Sequence, residues 1–295
     1  MEVLLPFLQL TLYGIRLSAT ERERILIEPP SSWEGLLKQI ESEKTLARLE
    51  DVNWCRTHWE NLNRWTKAYN LKWTFPGAFD YPARLLQTSL PPLLLCYRGE
   101  PVWQTHEMIS VVGSRDPMSD SLDWMRKHLL PFLKKVNVTI ASGGARGVDA
   151  RAHDLTLLAD RPPVCFLPSG ILKPYPQAHE PMFHRVLDAG GVLISGFAPD
   201  SFMQKSYFHA RNRWIAGIST ITMIVEAQRK SGSYLTAKLA LEEGRAIATL
   251  PVSPMSVRGH GNLDLIYSGA QMLRDEQDLA LFVAKELGSA FFTAQ

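Results

Sequence analysis

Short apolar runs alternate with helical stretches over most of this sequence, and this alternation restricts the fold more than any other feature. Six runs read as strands, at residues 109–112, 138–141, 164–167, 192–194, 220–225 and 246–250. Helical stretches lie between them, near residues 119–136, 148–159, 178–189, 208–218 and 233–243. Strands that are apolar throughout are typical of sheets covered on both faces, and the helices supply the crossovers. The sequence therefore predicts an α/β fold with a doubly wound, mostly parallel sheet.

The totals indicate a globular protein with at most a local binding patch. The chain has 295 residues, so one large or two unequal domains are expected. Its net charge of +2 is too small for a surface that binds polyanions everywhere. Cys55, Cys96 and Cys165 have no CxxC spacing, which argues against zinc or disulfides and favours the reducing cytoplasm. The apolar residues 3–13 are interpreted as a buried helix, and no run is long enough to span a bilayer.

Residues 1–75 are predicted to form a small all-helical domain. Apolar residues recur there at steps of three and four and would form one stripe along a helix: Val52, Cys55, Trp59, Leu62, Trp65 and Tyr69. Five of the eight tryptophans lie in this part, at positions 33, 54, 59, 65 and 73. We interpret them as the domain's core, with base stacking or a partner surface as the alternative. The turn-rich residues 75–82 are the predicted linker, and the second domain spans 76–295.

Two glycine-rich segments follow the first two strands of the predicted sheet. They read Val111-Val112-Gly113-Ser114-Arg115 and Ser142-Gly143-Gly144-Ala145-Arg146-Gly147. Glycine lets the backbone approach an anion, neighbouring bare N–H groups form a nest, and Arg115 or Arg146 adds a fork of donors. Because the carboxyl ends of parallel strands meet at one edge, both segments predict a phosphate site there. The alternative for the first segment is a tight turn with an exposed arginine, and the missing GxGxxG spacing disfavours a dinucleotide.

Basic and aromatic side chains are interleaved in a third segment, residues 205–213. Lys205, Phe208 and Arg211 suit single-stranded nucleic acid, because cations follow the backbone while rings stack on bases. The alternative is the start of a helix with solvated arginines. Arg211 and Arg213 cannot lie on the same helix face, so at least one of them is predicted to be structural.

No side chain stands out as a catalytic group. Asp149 and His153, four residues apart, could act as acid and base, but a cap and a packing histidine are favoured. Glu226 follows a strand and is interpreted as a structural hydrogen-bond acceptor. The segment Ser231-Gly232-Ser233-Tyr234-Leu235-Thr236 is predicted to be a second anion site at a helix start, and residues 259–262 to be a loop closing over the sheet edge. No catalytic residue, metal ligand or cofactor is therefore predicted.

Seven segments follow one another between about residues 76 and 273. They are Tyr81-Pro82 through Pro91-Pro92-Leu93 to Arg98-Gly99; Val112-Gly113-Ser114-Arg115; Ser142-Gly143 through Gly147-Val148-Asp149 to Ala152-His153; Tyr175-Pro176; Phe208 with Arg211-Asn212-Arg213-Trp214-Ile215-Ala216-Gly217; Val225-Glu226-Ala227 with Ser231-Gly232-Ser233 and Thr236-Ala237; and Gly261-Asn262 with Ile266 and Gly269-Ala270. Each is weak alone. As an ordered set they resemble the DprA/Smf family of bacterial DNA-processing proteins.

The resemblance implies an extended Rossmann-like fold behind a small SAM-like helical domain. It implies a protein that is not an enzyme, needs no cofactor or membrane, and acts as a cytoplasmic homodimer. Such a protein binds single-stranded DNA, protects incoming DNA and loads the RecA recombinase during natural transformation. The family's phosphate pocket, its positions that face the DNA strand and the loop residues above together give the predicted nucleic-acid-binding residues. They are Gly113, Ser114, Arg115, Ser142, Gly143, Gly144, Arg146, Lys205, Phe208 and Arg211.

The chain departs from the family's pattern in three places. Ser195-Gly196 stands where a Ser-Glu is usual, Pro251-Val252-Ser253-Pro254 replaces a Pro-Gly, and no C-terminal winged helix is expected. The alternatives from other classes are a nucleotide-binding sensor using the same pocket and a phosphoribohydrolase-like enzyme on a related fold. Such enzymes depend on a Pro-Gly-Gly-x-Gly-Thr-x-x-Glu run, which the segment from Ser231 to Glu242 does not reproduce.

Overall fold

A computed structural model describes residues 3–13 and 15–288 of the chain. The strands in these residues are β1 (Lys72–Thr74), β2 (Leu95–Gly99), β3 (Glu107–Val112), β4 (Val138–Ser142), β5 (Val164–Phe166), β6 (Val192–Ser195), β7 (Ile221–Ile224), β8 (Ala246–Thr249) and β9 (Gln271–Met272). The helices are α1 (Leu4–Thr11), α2 (Ala19–Ile27), α3 (Trp33–Leu37), α4 (Glu43–Glu50), α5 (Val52–Tyr69), α6 (Ala83–Leu86), α7 (Ser119–Trp124), α8 (Leu130–Lys135), α9 (Val148–Leu158), α10 (Glu180–Asp188), α11 (Lys205–Ile218), α12 (Gly232–Glu242), α13 (His260–Tyr267) and α14 (Glu276–Leu287). Short 3₁₀ turns lie at Val102–Gln104, Gln177–His179 and Val257–Gly259.

The strands form a single sheet in the order β1-β2-β6-β5-β4-β3-β7-β8-β9. β2 runs antiparallel to both β1 and β6, and all other neighbours are parallel. Ile109 of β3 lies beside Ile140 of β4 and Ile221 of β7. The chain moves from β3 outward through β4 and β5 to β6, then returns to the other side of β3 as β7. The predicted doubly wound, mostly parallel sheet is therefore confirmed.

Helices cover both faces of the sheet. On one face α6, α11 and α12 pack around residues such as Ile215 and Leu239. On the other, α7, α8, α9 and α14 pack around residues such as Phe132 and Leu155. All four side chains are almost completely buried. Burial from both sides explains why the strands are apolar throughout instead of alternating.

The helical stretch after β3 continues past Pro131. A π-turn, Met125–Leu129, joins α7 to α8 directly before this proline, and the Leu130 N–H donates to the Met125 carbonyl. Proline lacks an N–H and its ring clashes with the carbonyl four residues earlier, so an ordinary helix is disturbed there. A π-turn inserts the extra residue that a helix can use to pass such a site. The sequence alone would predict a kink or an end at Pro131, whereas the structure has a local bulge in a longer helix.

The N-terminal helices α1–α5 pack around their own core, which includes Phe7. The apolar stripe of α5 is only partly covered: Leu62 is buried, but Val52, Trp59 and Tyr69 are 70%, 40% and 47% exposed. The interpretation of the tryptophans as core is wrong for Trp59, because α5 packs on α1 and α4 along one side. The other four tryptophans are half-buried and pack against core residues. An open apolar groove of about 470 Å³ runs past Val52 and Trp59.

Side-chain caps fix the starts of several helices. Ser18 and Glu21 form a capping box at α2, and Ser231 accepts the Tyr234 N–H at the start of α12. The longest helix, α5, has 18 residues. Within residues 3–13 and 15–288, no helix has the length and apolar character needed to cross a membrane.

The predicted loop at residues 259–262 is instead the start of α13, and that prediction is wrong. The Gly261 N–H donates to the Ala227 carbonyl at 2.9 Å, and a Cβ at this glycine would lie 2.6 Å from the same oxygen. Asn262 is buried beside it, where its Oδ1 accepts the Ala227 N–H and its Nδ2 donates to the Val225 carbonyl. The glycine therefore serves close contact between a helix and a strand end, which a sequence pattern does not distinguish from a turn.

Candidate nucleic-acid interface

The glycine-rich segments lie together at the carboxyl edge of the sheet. Gly113 follows β3, Gly143 follows β4, and Ser231 lies on the connection that leaves β7. Since β4 and β7 are the two neighbours of β3, the loops that leave these strands meet. The strand order reverses at β3, and ligands of doubly wound folds bind in the crevice at such a reversal. The prediction that both segments share one edge is confirmed.

Two clefts open at this edge. The inner cleft, of about 450 Å³, lies between the loop after β3 and the start of α12. The outer cleft, of about 290 Å³, lies between the loop after β4 and the Tyr175-Pro176 pair. Arg115, Phe208 and Arg211 line both clefts, so the two join along the first turns of α11.

Arg211 is the central charged side chain of both clefts. Its side chain is 4% exposed, and its Nη1 lies 3.8 Å from the Oδ2 of Asp149. It makes no hydrogen bond to any described residue, and its buried Nε has no partner there. Burial lowers the pKa of this guanidinium, which still remains protonated at neutral pH. A buried cation with unused donors that lines a cleft favours an anionic ligand.

Glycines at two positions allow this arrangement. A Cβ at Gly143 would lie 1.3 Å from the Nη1 of Arg211, so any other residue would displace the guanidinium. Gly147 has a φ of +82°, and a Cβ there would lie 2.4 Å from the Ser114 carbonyl oxygen. The next residue, Val148, donates its N–H to the same oxygen at 3.1 Å. The glycines thus place the two segments against each other and against Arg211.

Asp149 occupies backbone amides that the sequence predicts to be bare. The Ala145 N–H donates to its Oδ2 at 3.4 Å, and the N–H groups of Gly143 and Gly113 lie close enough to the carboxylate to stabilise its charge. That part of the prediction is wrong, because the first turn of α9 places a carboxylate against the amides. Burial raises the pKa of the Asp149 carboxyl, and the nearby Arg211 and the three amides oppose the increase. The capacity of this edge to bind an anion therefore rests on guanidinium groups more than on these amides.

Of the other three predicted cations, two lie at the clefts on the solvent side and one does not. Arg115 is exposed, and its guanidinium carbon lies 5.1 Å from the centroid of the Phe208 ring. Arg146 is also exposed, and its Nε donates to the Arg115 carbonyl at 3.1 Å. Lys205, the first residue of α11, is exposed and lines neither cleft. The structure brings Arg115 and Arg146 together with Arg211 and leaves Lys205 outside.

Phe208 offers an aromatic face between two arginines. The guanidinium carbon of Arg211 lies 5.5 Å from its ring centroid, and the Tyr175 ring meets it edge-on at 6.0 Å. Tyr175 comes from the loop after β5, where a cis peptide bond joins it to Pro176. The sequence prediction does not include Tyr175 as a site residue, although the Tyr-Pro pair was the available signal. Aromatic faces beside cations suit a nucleobase and its phosphate.

The remaining predicted residues divide between cleft wall and loop interior. Ser114 is half-buried and lines the inner cleft. Ser142 is buried, and its hydroxyl donates to the Val111 carbonyl at 2.6 Å. Gly144 has a φ of +65°, and its carbonyl accepts from the Nδ1 of His179 at 2.9 Å. Ser142 and Gly144 line neither cleft.

The start of α12 completes the inner cleft. The Ser233 hydroxyl donates to the Gly113 carbonyl at 2.7 Å and ties this helix to the loop after β3. The two predicted anion sites, at Gly113 and at residues 231–233, are therefore walls of one cleft. Asn212 and Gln228 add side-chain amides to the same wall. Neither belongs to the predicted site. For Asn212 the available signal was its place in the Arg211-Asn212-Arg213 segment that carries the family resemblance, and Gln228 has no such signal.

His153 is a packing residue, as favoured from the sequence. It is fully buried, and neither ring nitrogen has a hydrogen-bond partner in the described part of the chain. Burial, with smaller contributions from His179 and Arg211, lowers its pKa to about 3. The ring is therefore neutral at physiological pH and lines neither cleft.

Glu226 acts as a structural hydrogen-bond acceptor, which confirms that interpretation. The residue is fully buried after β7. Its Oε2 accepts the Met118 N–H at 2.9 Å and the Ser121 hydroxyl at 2.7 Å. These contacts attach the start of α7 to the end of β7, and Glu226 is absent from the walls of both clefts.

The chain matches a known family over most of its length. The model of the family described as DNA recombination-mediator protein A matches residues 72–284. The protein Smf from Synechocystis sp. is 34% identical over 71% of this chain. The chain spans only about half, 53%, of the length of the Smf relatives that share this identity.

Two solved structures are similar in fold. One is DNA processing protein A from Streptococcus pneumoniae, with a TM-score of 0.73 and 23% identity over 92% of this chain and 95% of that one. The other is DNA processing protein A from Helicobacter pylori, described for its single-stranded DNA binding mode. It has a TM-score of 0.63 and 24% identity over 72% of this chain and 96% of that one. These likenesses support the extended Rossmann-like architecture.

Proposed function

We propose, since the chain belongs to the DNA recombination-mediator protein A family, that it binds single-stranded DNA along the joined inner and outer clefts. The family match covers residues 72–284, which include every residue that lines the two clefts. The Helicobacter pylori relative, described as binding single-stranded DNA, supports the same ligand class.

The state of Arg211 is the observation that carries this proposal. Its guanidinium is nearly buried, lies against Gly143 and makes no hydrogen bond to a described residue. Such a group is costly to bury unless a ligand satisfies it. A phosphate in the clefts would accept the donors that Asp149 leaves unused, since this ion-pair partner at 3.8 Å lies beyond hydrogen-bond distance.

The aromatic face next to Arg211 favours a strand whose bases are unpaired. Phe208 and Tyr175 meet at the junction of the clefts, where a base can stack only if it is free of its complement. In this proposal Arg211 contacts one phosphate and Arg115 and Arg146 contact its neighbours. Lys205 extends the positive surface along the strand.

The other predicted residues shape these contacts. Gly113 and Ser114 form the wall of the inner cleft. Ser142, Gly143 and Gly144 hold the second segment in place beneath Arg211. The proposed function requires no catalytic group, metal or cofactor.

The wider role is proposed from the family resemblance. The protein protects incoming single strands, loads the RecA recombinase during natural transformation, and acts as a homodimer in the cytoplasm. In this proposal the helical residues 1–75 are a SAM-like domain, and residues 76–295 are the DNA-binding domain.

Fluorescence anisotropy with labelled oligo-dT and the matching duplex tests the ligand class. The single strand is expected to bind more tightly, with log K falling against log salt at a slope of about −2 for three phosphate contacts. A preference for the duplex, or a flat salt dependence, would overturn the proposal. Tight binding of a mononucleotide that displaces the DNA would instead favour a small-ligand sensor that uses the same pocket.

A further inference from the structure

A third cleft, of about 550 Å³, lies between α11 and the N-terminal helices. We call it the helical cleft. Its walls come from the connection between α1 and α2, from residues 90–94, from the loop after β6 and from α11. It shares no lining residue with the inner or outer cleft. Because it uses other side chains of α11, its ligand can be inferred independently of the proposed function.

The helical cleft is positively charged. Three arginines and one histidine line it, and no carboxylate does within the described chain. Arg213 is neutralised by the glutamates of α12 and the residue after it. Arg22 donates to the Pro91 carbonyl at 2.6 Å, a neutral acceptor that leaves its charge unbalanced. The side chain of Arg16 is exposed and has no partner among the residues described. Two uncompensated cations therefore face this space.

An aromatic wall faces the same space. The rings of Phe197 and Tyr207 are stacked, with centroids 3.8 Å apart and planes 8° from parallel. Trp214 backs Phe197 at 5.2 Å, and Gly196 allows this, because a Cβ there would lie 2.3 Å from the Trp214 ring. This is the Ser195-Gly196 position at which the sequence departs from the family's pattern. The stack is a rigid platform with a half-buried ring at its end.

We propose that the helical cleft binds a nucleotide unit, with its phosphate at Arg16 and Arg22 and its base against Tyr207. A flat platform beside two unbalanced cations matches an aromatic ring that carries a phosphate. An acidic peptide would use the cations but not the stacked rings. A free nucleotide and a segment of a longer single strand present this same chemistry.

Binding of two probes to one set of variants separates these sources. The probes are dTMP, followed by calorimetry, and oligo-dT of about 6 and about 20 nucleotides, followed by anisotropy. The variants are Arg16→Ala and Tyr207→Leu, which retains an apolar contact with Phe197. Arg126→Ala is the matched control. It removes the same charge as Arg16→Ala, and Arg126 is exposed and lines none of the three clefts. Circular dichroism checks that each variant is folded.

A free-nucleotide site predicts that Arg16→Ala and Tyr207→Leu each weaken dTMP binding about tenfold, whereas Arg211→Ala leaves it unchanged. If the cleft instead binds a segment of a longer single strand, both variants should lose the same affinity for the oligonucleotide of about 20 nucleotides. Their affinity for the one of about 6 nucleotides should not change. Wild-type binding of all probes by both variants overturns the proposal, as does an equal loss in Arg126→Ala. Failure of the proposed function is a separate result, namely unchanged oligo-dT binding by Arg211→Ala.

Discussion

The two faces of α11 carry arginines two residues apart in opposite states. Arg211 points to the sheet edge, is 4% exposed and has only a 3.8 Å approach to Asp149. Arg213 lies on the other face, at the helical cleft. There Glu243 lies 2.5 Å from its Nη1 and Glu242 3.4 Å from its Nη2. Ser89 accepts a further hydrogen bond from it at 3.0 Å.

The comparison teaches that burial alone does not distinguish a binding arginine from a structural one. Arg211 is the more buried of the two, yet its donors are unused, whereas Arg213 is 19% exposed and has partners at both terminal nitrogens. The number of satisfied donors is therefore the better guide. The expectation that at least one of the pair is structural holds for Arg213.

The largest expected effect concerns His153, which must remain uncharged near Arg211. The unfolded chain binds a proton at this ring below about pH 6.5, but the folded protein binds it only near pH 3. The unfolded state takes up the extra proton between these values, so the free energy of unfolding falls as pH decreases, by up to about 5 kcal/mol.

Replacing His153 by leucine should remove this part of the acid sensitivity. Urea denaturation at about pH 7 and about pH 4 measures it, and the difference between wild type and His153→Leu cancels carboxylates that titrate in both proteins. At neutral pH the variant should lose no stability, because neither ring nitrogen has a described partner. An identical pH dependence in both proteins would show that His153 is already protonated in the native state.

The next effect tests the structural arginine. Arg213→Ala leaves Glu243, whose side chain is 2% exposed, without its cation, and should lower the free energy of unfolding by about 3 kcal/mol. Affinity for a short oligo-dT should stay at the wild-type value. Arg185→Ala is the control, because its pair with Asp154 is exposed and should contribute less than about 1 kcal/mol. A stable Arg213→Ala protein that fails to bind DNA would erase the distinction between the two faces.

Arg211→Ala should give the opposite result. We expect single-stranded binding to weaken by about 2–3 kcal/mol, because a desolvated charge-assisted contact is lost. Arg211→Lys should recover only part of it, since an ammonium cannot reproduce the planar fork of donors. Anisotropy with oligo-dT measures both variants. Wild-type affinity in a folded Arg211→Ala protein would remove this residue from the site.

The smallest effect is expected at Arg115. It is exposed and lies over Phe208, so Arg115→Ala should weaken single-stranded binding by about 1–2 kcal/mol and make the salt slope shallower by about 0.7. Lys127→Ala, an exposed charge on the π-turn that lines neither cleft, provides the comparison. Equal losses in both variants would mean that only the protein's total charge matters.

The sequence was sufficient for features that depend on local pattern. The apolar runs predicted the sheet strands from β3 to β8, and the glycine segments predicted the edge at which Arg115 and Arg211 meet. Both follow from rules that hold within one strand and its connecting loop.

Other features depend on contacts between distant segments and could not be predicted. The amide of Ala145 is occupied, and those of Gly113 and Gly143 are approached, because α9 brings the Asp149 carboxylate against this loop. The helical cleft requires Arg16 to lie near Tyr207, nearly two hundred residues away. The partial exposure of α5 depends on which of its sides α1 covers, and a periodic stripe does not specify that.

The contacts of Glu226 limit how the length of the loop between β3 and α7 can vary. The segment that carries Arg115 starts at the end of β3 and is fastened again at Met118, where the backbone N–H meets Glu226. One inserted residue would carry that N–H up to about 3.8 Å along the chain, beyond hydrogen-bond reach. A side-chain substitution between these two points leaves the Met118–Glu226 hydrogen bond in place, whereas an insertion or deletion would break it. We therefore expect the length of this loop to vary less among related proteins than its amino-acid sequence does.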